Sequence, residues 1–385
     1  MIQPGSDAWI GVLGGGQLGR MLALAARPMG YKILTWTGGD RSGAADVADE
    51  VIHQPFDDRQ ALEKFCSQVK VATAEFENLP GDMLKQVEER VPLRPNSHSI
   101  ITSQHREREK KFLSENGFGC AHHFIITNLD ELKNGVKEIG RDCILKTAEF
   151  GYDGKGQQKI SGDATAEDLA NIWQSFDSQR AVLEERVELD TEISVLVARG
   201  VAGDVVTYDP AENIHRNHIL DVSIVPARLP ENILEEARKV AVGVAEALDY
   251  IGILAVEFFI SKAGRLLVNE IAPRPHNSGH HTIDGCMTSQ FLQQARAICG
   301  LPLGSTELKK PCAMLNLLGD LWPGSDTPPD WSPIFKTPGA SLHLYGKAGA
   351  RAGRKMGHVN FLADDAQTVL SQVSRCREAL GMPAI

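Results

Sequence analysis

The stretch ILAVEFFISKAGRLLVNEIAPRPHNSGHH, residues 253–281, decides how this chain is read. Ile253 to Ile260 and Leu266 to Ile271 are apolar β-type runs, each interrupted by one acid, Glu257 and Glu270. Lys262-Ala263-Gly264 supplies a turn between them. The acids stand 13 residues apart, so a hairpin can bring both carboxylates onto one face. With the amide of Asn269 they make a hard oxygen site suited to Mg²⁺, which takes one or two carboxylates together with nucleotide phosphates. Burying such acids without a cation or a basic partner would be costly. A structural ion pair with a nearby arginine is the alternative. Beyond the hairpin, Arg274, His276 and Asn277 place a guanidinium, an imidazole and an amide beside the acids. That set suits a small oxyanion such as bicarbonate or an acyl phosphate. Zinc is disfavoured, because HExxH spacing is absent and the Pro-rich backbone is extended.

Toward the N-terminus the pattern changes. Trp9 to Leu13 reads as a strand, Gln17 to Met29 as a helix, and Tyr31 to Trp36 as a second strand. Val51 to His53, the helix Ala61 to Val69 and the strand Lys70 to Ala74 continue the alternation, which predicts a parallel, doubly wound sheet. Gly14, Gly16 and Gly19 satisfy GxGxxG between the first strand and helix. A dinucleotide site also wants an acid ending the second strand, but Trp36-Thr37-Gly38-Gly39 stands there and Asp40 comes late. A phosphate-bearing substrate at the helix start is the better reading, with a tight structural turn as the alternative. Glu75 interrupts the end of an apolar strand, where doubly wound folds bind ligands.

The middle is richer in strands. Cys143–Lys146, Ala181–Glu184, Ile193–Ala198, Val205–Tyr208 and His218–Pro226 are added to the hairpin, and a helix runs from Glu231 to Leu248. Segregated strands and helices predict an α+β unit. A charged helix from Gln104 to Asn116 reads as a connector into it. Phe150-Gly151-Tyr152-Asp153-Gly154-Lys155-Gly156-Gln157 follows the strand carrying Lys146 and reads as a mobile phosphate flap, a hairpin turn, or both. It lacks the Gly-Lys-Ser/Thr ending of a Walker A loop. A Pro- and Gly-rich stretch from Pro302 to Pro338 precedes a short β-like tail and a helix from Ala366 to Leu380.

At 385 residues the chain has room for two or three domains. Hydrophobic residues make up 42% and charged residues 23%, the balance of a soluble globular protein. A formal charge of -10 argues against general affinity for nucleic acid or anionic membranes. Met1 to Trp9 lacks the pattern of a secretory signal, and no apolar run suffices to span a bilayer. The seven cysteines form no CxxC pair, which fits a reducing cytoplasm.

Taken together, these segments resemble the ATP-grasp enzymes, and more narrowly the 5-(carboxyamino)imidazole ribonucleotide synthetases of purine biosynthesis. Gly14 to Met21, Thr73 to Glu77, Phe150 to Gln157, Asn269 to His280 and Gly353 to His358 carry the match, which extends over essentially the whole chain. The resemblance implies an α/β and α+β architecture, an ATP-grasp fold with a Rossmann-like (pre-ATP-grasp) N-terminal domain over 1–103. An ATP-grasp domain over 104–301 and a small β-rich C-terminal domain over 302–385 would follow.

It further implies that Arg106 and Lys146 contact ATP phosphates under the flap Gly151, Tyr152, Asp153, Gly154, Lys155, Gly156 and Gln157. Glu184, Glu185, Arg186 and Val187 would form the hinge reading adenine, with Glu192 on the ribose. His215 and Asn269 would complete the nucleotide site, and Glu257 and Glu270 would hold Mg²⁺. Arg274, His276 and Asn277 would hold bicarbonate and the carboxyphosphate made from it. Glu75, Tyr152, Asp153, Arg274, Arg354 and Lys355 would place aminoimidazole ribonucleotide, its phosphate near Gln17 and Leu18. His105 departs from the family, which more often has Asp before the arginine. A homodimer and functional coupling to the downstream mutase are implied partners. A formate-dependent glycinamide ribonucleotide transformylase and a non-catalytic nucleotide-binding regulator are the rival readings.

Overall fold

Strands β1 (Trp9–Leu13), β2 (Lys32–Trp36), β3 (Glu50–Ile52) and β4 (Val71–Ala74) pair in parallel, in the order β3-β2-β1-β4. The computed structural model describes residues 1–5, 7–39, 43–149, 156–176 and 180–385. Both faces of this sheet are covered, which is why β1 and β4 are apolar without alternation. Helix α1 (Gln17–Ala26) packs Leu18, Leu22 and Ala26 on one face. Helices α2 (Arg59–Gln68), α3 (Gly81–Glu88) and α4 (Ser97–Ser103) pack Phe65, Leu84 and Ile100 on the other. The first helix stops at Ala26 rather than running to Met29. Pro28 cannot donate to the ladder, and Arg27–Met29 tightens into a 3-10 turn.

Helix α5 (Arg106–Glu115) leads into an antiparallel sheet of β5 (His123–Ile126), β6 (Cys143–Thr147), β7 (Gln157–Ile160) and β8 (Ala181–Glu185). Helices α6 (Leu129–Ile139) and α7 (Ala166–Ser175) cover it with Leu132, Val136 and Leu169. A capping box between Thr165 and Asp168 fixes the start of α7.

The third sheet has nine strands: β9 (Leu189–Arg199), β10 (Val205–Thr207), β11 (Ala211–Arg216), β12 (Ile219–Val225), β13 (Gly252–Ser261), β14 (Leu266–Ala272), β15 (Cys312–Leu318), β16 (Ala340–Leu344) and β17 (Lys355–Leu362). Their order is β14-β13-β9-β11-β12-β15-β17-β16, with β10 on β9. Helix α8 (Glu231–Ala247) lays Leu234, Ala237, Ala241 and Val244 against Val195, Leu254 and Val256. The short α9 (Thr282–Gly285) and α10 (Gln290–Cys299) follow β14, and α10 also backs the first sheet through Phe291 and Ile298.

The Pro- and Gly-rich stretch that suggested no strand contains β15. Its run CAMLNLL is almost wholly buried, so it shows none of the alternation that marks a half-exposed strand. Through β15 the segment after Pro302 joins β12 edge to edge and extends the central sheet. Among the described residues, no helix is long and apolar enough to cross a membrane. The second and third sheets flank a cleft of about 1300 Å³.

Candidate active site

Glu257 and Glu270 face each other across β13 and β14 as direct partners. The pairing depends on a bulge: Phe258 pairs with Val268, which leaves Asn269 as the extra residue. A bulge of this kind re-aims side chains, and Asn269 and Glu270 both line the cleft with Glu257. The Glu270 side chain is open to the cleft, yet the walls around it strip away much of its water; that desolvation, and then the neighbouring charge of Glu257, push its carboxyl up. Burial also acts upward on Glu257, but His276, whose Nε2 lies 2.8 Å from Oε1, outweighs it and holds that carboxyl low. Among the described residues, no group of three His, Cys, Asp or Glu side chains could hold a metal ion by itself. Two facing carboxylates, one destabilised by the other, do fit Mg²⁺, which draws its remaining ligands from phosphate and water.

Cations converge from the opposite wall. Lys146 on β6 donates to Glu184 on β8 at 2.8 Å, and Lys110 on α5 stands 3.6 Å from the other oxygen of Glu184. Burial raises the Glu184 carboxyl, yet the two ammonium groups prevail and bring it to about 2. Lys110 also donates to the carbonyl of Asn269 at 3.2 Å, and Glu109 accepts the Ile271 amide at 2.6 Å. Helix α5 is therefore clamped to the acid hairpin. Burial first and Glu270 second push the Glu109 carboxyl up.

Glu109 and Lys110 were not singled out from the sequence, which presents them inside a charged run. The usable signal was spacing, since Arg106, Glu109, Lys110 and Leu113 fall at i, i+3, i+4 and i+7, one helix face. Arg106 lines the cleft and donates to the Thr147 carbonyl at 2.9 Å. Glu185, Arg186 and Val187 also line it, where β8 crosses toward β9. Glu185 is met by Arg265 at 3.3 Å and Arg141 at 3.7 Å, and Arg186 pairs with Asp142 at 3.0 Å.

The loop after the hairpin turns back over the acids. Arg274 grips Glu77 with two hydrogen bonds of 2.5 and 3.0 Å, tying the first domain to the cleft. Burial raises the Glu77 carboxyl less than Arg274 lowers it, and it comes to about 2. Glu77, like Glu109 and Lys110, carries no signal in the sequence that marks it alone. Asn277 is buried, and neither polar atom of its amide has a partner among the described residues. A buried amide at a cleft wall with both polar atoms unpaired fits a polar ligand. Gln290 holds the His276 backbone from behind, accepting its amide and donating to its carbonyl, both at 2.8 Å. His215 stands 3.0 Å from Glu192; burial acts downward on the imidazole, but the hydrogen bond and charge of Glu192, together with the charge of Glu257, raise it.

The expected ribonucleotide residues form a second, adjoining group. Glu75 is 7% exposed and accepts the amides of Gly16 at 2.7 Å and Gly19 at 3.2 Å. A Cβ at Gly14 would come within 2.5 Å of Glu75, and one at Gly16 within 2.6 Å. The GxGxxG glycines therefore make room for the chain's own carboxylate at the place where a phosphate was expected. Gln17 accepts from Lys347, whose Nζ also donates to the Lys355 carbonyl at 2.9 Å. Lys347 is a fourth such residue, a lone lysine in a Gly-rich loop. Leu18 points into the core, so only its backbone can face a ligand. Lys355 lines the large cleft, while Arg354 donates to the Gly349 carbonyl at 2.8 Å. Gly156 and Gln157 belong to the described residues, and Gln157 lines the cleft. Asp40, Phe150, Gly151, Tyr152, Asp153, Gly154 and Lys155 lie outside them.

Two antiparallel sheets flanking a cleft, a lysine on one, an acid hairpin on the other and a doubly wound domain in front define an ATP-grasp protein. Residues 8–104 match the ribonucleotide synthetase preATP-grasp domain, 111–291 the ATP-grasp domain, and 312–372 the phosphoribosylaminoimidazole carboxylase C-terminal domain. The N5-carboxyaminoimidazole ribonucleotide synthase of Bacillus subtilis (strain 168) is 43% identical over 362 residues, covering 94% of this chain and 93% of the relative. That of Brucella melitensis biotype 1 is 42% identical, covering 93% and 96%. A crystal structure of an N5-carboxyaminoimidazole ribonucleotide synthetase with ADP superposes with a TM-score of 0.89 at 39% identity, covering 99% and 97% of the two chains. The Aspergillus clavatus synthase, in complex with ADP and 5-aminoimidazole ribonucleotide, gives 0.86 at 28% identity, covering 99% and 100%. The chain belongs to the N5-carboxyaminoimidazole ribonucleotide synthase family.

Proposed function

We propose that this chain carboxylates 5-aminoimidazole ribonucleotide to 5-(carboxyamino)imidazole ribonucleotide at the expense of ATP and bicarbonate, in purine biosynthesis. The observation that carries the reading is the acid pair set in register beside a buried, unpartnered Asn277 amide, opposite Lys146 and Lys110. Such a cleft suits a nucleotide triphosphate at one end and a small oxyanion at the other. Glu257 and Glu270 would hold Mg²⁺, with Asn269 beside them. Bound there, the ion would neutralise charge on the transferring phosphoryl group.

A bicarbonate oxygen attacks the γ-phosphorus, the bond to ADP breaks, and carboxyphosphate forms. Arg106 and Lys146 orient the phosphates, with Gly151 to Gln157 as the flap above them. Glu184 to Val187 and Glu192 receive the nucleoside, and His215 completes its site. Arg274, His276 and Asn277 keep the carboxyphosphate in place and away from water. The exocyclic amine of the ribonucleotide then bonds to the carboxyl carbon as phosphate leaves. Glu75, Tyr152, Asp153, Arg354 and Lys355 would position that amine, and Gln17, Leu18 and Lys347 the ribonucleotide phosphate.

The same proposal comprises three units, 1–103, 104–301 and 302–385, a homodimer in the cytoplasm, and delivery of the labile product to the downstream mutase. The deciding experiment is ADP release from purified protein with aminoimidazole ribonucleotide, with and without bicarbonate. Stimulation that requires both supports the reading. Stimulation by formate and glycinamide ribonucleotide instead, or by neither pair, overturns it.

A further inference from the structure

Behind His276 the central sheet carries a row of small polar side chains that none of these roles uses. Ser194 on β9 is the register partner of Glu257, and Asn213 on β11 is the register partner of Ser223 on β12. Ser194, Ser223 and Ser278 are each at most 2% exposed, and Asn213 is 6% exposed. They form one unbroken path. The Ser223 hydroxyl donates to Asn213 Oδ1 at 2.8 Å, and Asn213 Nδ2 donates to Ser194 Oγ at 2.9 Å. Ser194 Oγ lies 2.7 Å from Ser278 Oγ, which lies 2.8 Å from His276 Nδ1. The far ring nitrogen, Nε2, meets Glu257 at 2.8 Å.

The path has a direction. The backbone N–H of Ser278 also points at His276 Nδ1, at 3.3 Å, and an N–H can only donate. Nδ1 must therefore offer its lone pair. At the other end the Asn213 amide gives a proton to Ser194, so the Ser194 hydroxyl is free to donate to Ser278, and Ser278 to Nδ1. The ring proton is left on Nε2, the nitrogen at the cleft. Gln290 already fixes the peptide on both sides of the ring, and Ser278 at Nδ1 together with Glu257 at Nε2 fixes what the backbone clamp does not, the ring's rotation and tautomer.

We propose that Ser278, backed by Ser194 and Asn213, is a positioning residue that holds His276 with its Nε2–H facing the cleft, where it is donated to Glu257 and, once a cation takes that carboxylate, is offered to an oxyanion substrate. This rests on the carboxylation reading for its purpose, but not for its geometry. A lone pair at Nε2 would repel bicarbonate and carboxyphosphate, whereas a fixed N–H attracts them without reorganising. An apolar row would fill the same space without the cost that each buried polar member carries when left unpaired. What the row adds is a defined polarity ending on one nitrogen, as in hydrogen-bonded partners that orient metal-binding histidines.

The test has two independent readouts. In the intact protein labelled with ¹⁵N-histidine, the resonances lost in His276→Asn identify the ring. A pyridine-type Nδ1 with a protonated Nε2 is expected, and a proton on Nδ1, alone or together with Nε2, overturns the proposal. In steady-state assays, Ser278→Ala should lower kcat for bicarbonate-stimulated ADP release about tenfold, the scale of lost orienting partners. The KM for ATP should stay within about twofold, and Ser278→Ala should cause no further loss in the His276→Asn background. Equal losses in both backgrounds would reduce the row to packing and overturn the role. The resonance readout needs no turnover, so a wild type without stimulated ADP release would sink the carboxylation reading while the tautomer is still judged.

Discussion

Glu75, just past the end of β4, and the Glu257–Glu270 pair on β13 and β14 are carboxylates among apolar neighbours, yet the chain treats them differently. Burial pushes the Glu75 carboxyl up as well, but two backbone amides at the start of α1 offset part of that from within, and bare glycines around it leave it room. The acid pair is answered only in part. His276 holds Glu257, while Glu270 faces Glu257 and is pushed toward its neutral form. A carboxylate satisfied by the fold shapes a pocket, whereas two that repel across a hairpin call for something to arrive. The lesson is to ask where each charge is answered, not merely where the acids lie.

Breaking the unanswered site should have the largest effect. Glu270→Gln is expected to lower ADP release stimulated by bicarbonate and aminoimidazole ribonucleotide by about 1000-fold, the scale of losing one group that supports transition-state charge. Its thermal midpoint should match or exceed that of the wild type, because a repulsion is removed. Near-normal turnover at saturating Mg²⁺ would erase the contrast with Glu75.

Glu184 lies between the two extremes, a buried acid answered by two lysines. Folding lowers its carboxyl from 4.5 to about 2, so its stabilisation is complete above pH 4.5 and disappears as the pH falls toward 2. The linkage is on the order of 3 kcal/mol. Urea titrations should show the stability of wild type falling relative to Glu184→Gln across that window, and a gap independent of pH would remove Glu184 from the comparison.

A methyl group at Gly16 tests the answered site itself. Gly16→Ala places a Cβ within 2.6 Å of Glu75 and should cost about 1–3 kcal/mol of stability in denaturant melts. The KM for aminoimidazole ribonucleotide should rise and that for ATP stay level. The smallest effect is expected at the rim. Lys347→Gln should raise the KM for the ribonucleotide about tenfold, or about 1.4 kcal/mol, with kcat nearly unchanged. An unchanged KM would take Lys347 out of the substrate site.

Much of this was legible in the sequence, for identifiable reasons. The acid hairpin was readable because a single carboxylate in an apolar strand is rare enough to require a cause. The first sheet was readable because βα alternation permits few arrangements. Three things were hidden. The bulge at Asn269 was not visible, since the same spacing fits a regular hairpin, and only the observed register separates them. Lys110 and Glu109 were masked by composition, a charged run reading as solvent-facing although one of its faces lies in the cleft. Strand β11, with sequence AENIHR, contributes Asn213 to the polar row and alternates too few apolar residues to give a hydrophobic signal. The sequence showed GxGxxG correctly but not its occupant, because Glu75 lies 56 residues from Gly19.

The pairing of β12 with β15, and of β15 with β17, also bears on how the molecule comes into being. Lys355 opens β17, and the neighbouring Lys347 reaches back to Gln17 at the head of α1. A growing polypeptide on the ribosome can complete the first sheet early, yet the proposed ribonucleotide site would have no far wall until residue 355 has been made. Until β15 emerges, β12 is an unpaired edge open to association with other chains. Closing that edge and completing the site are thus one late event, so a half-synthesised chain would offer ATP a place to sit before it had anything to carboxylate.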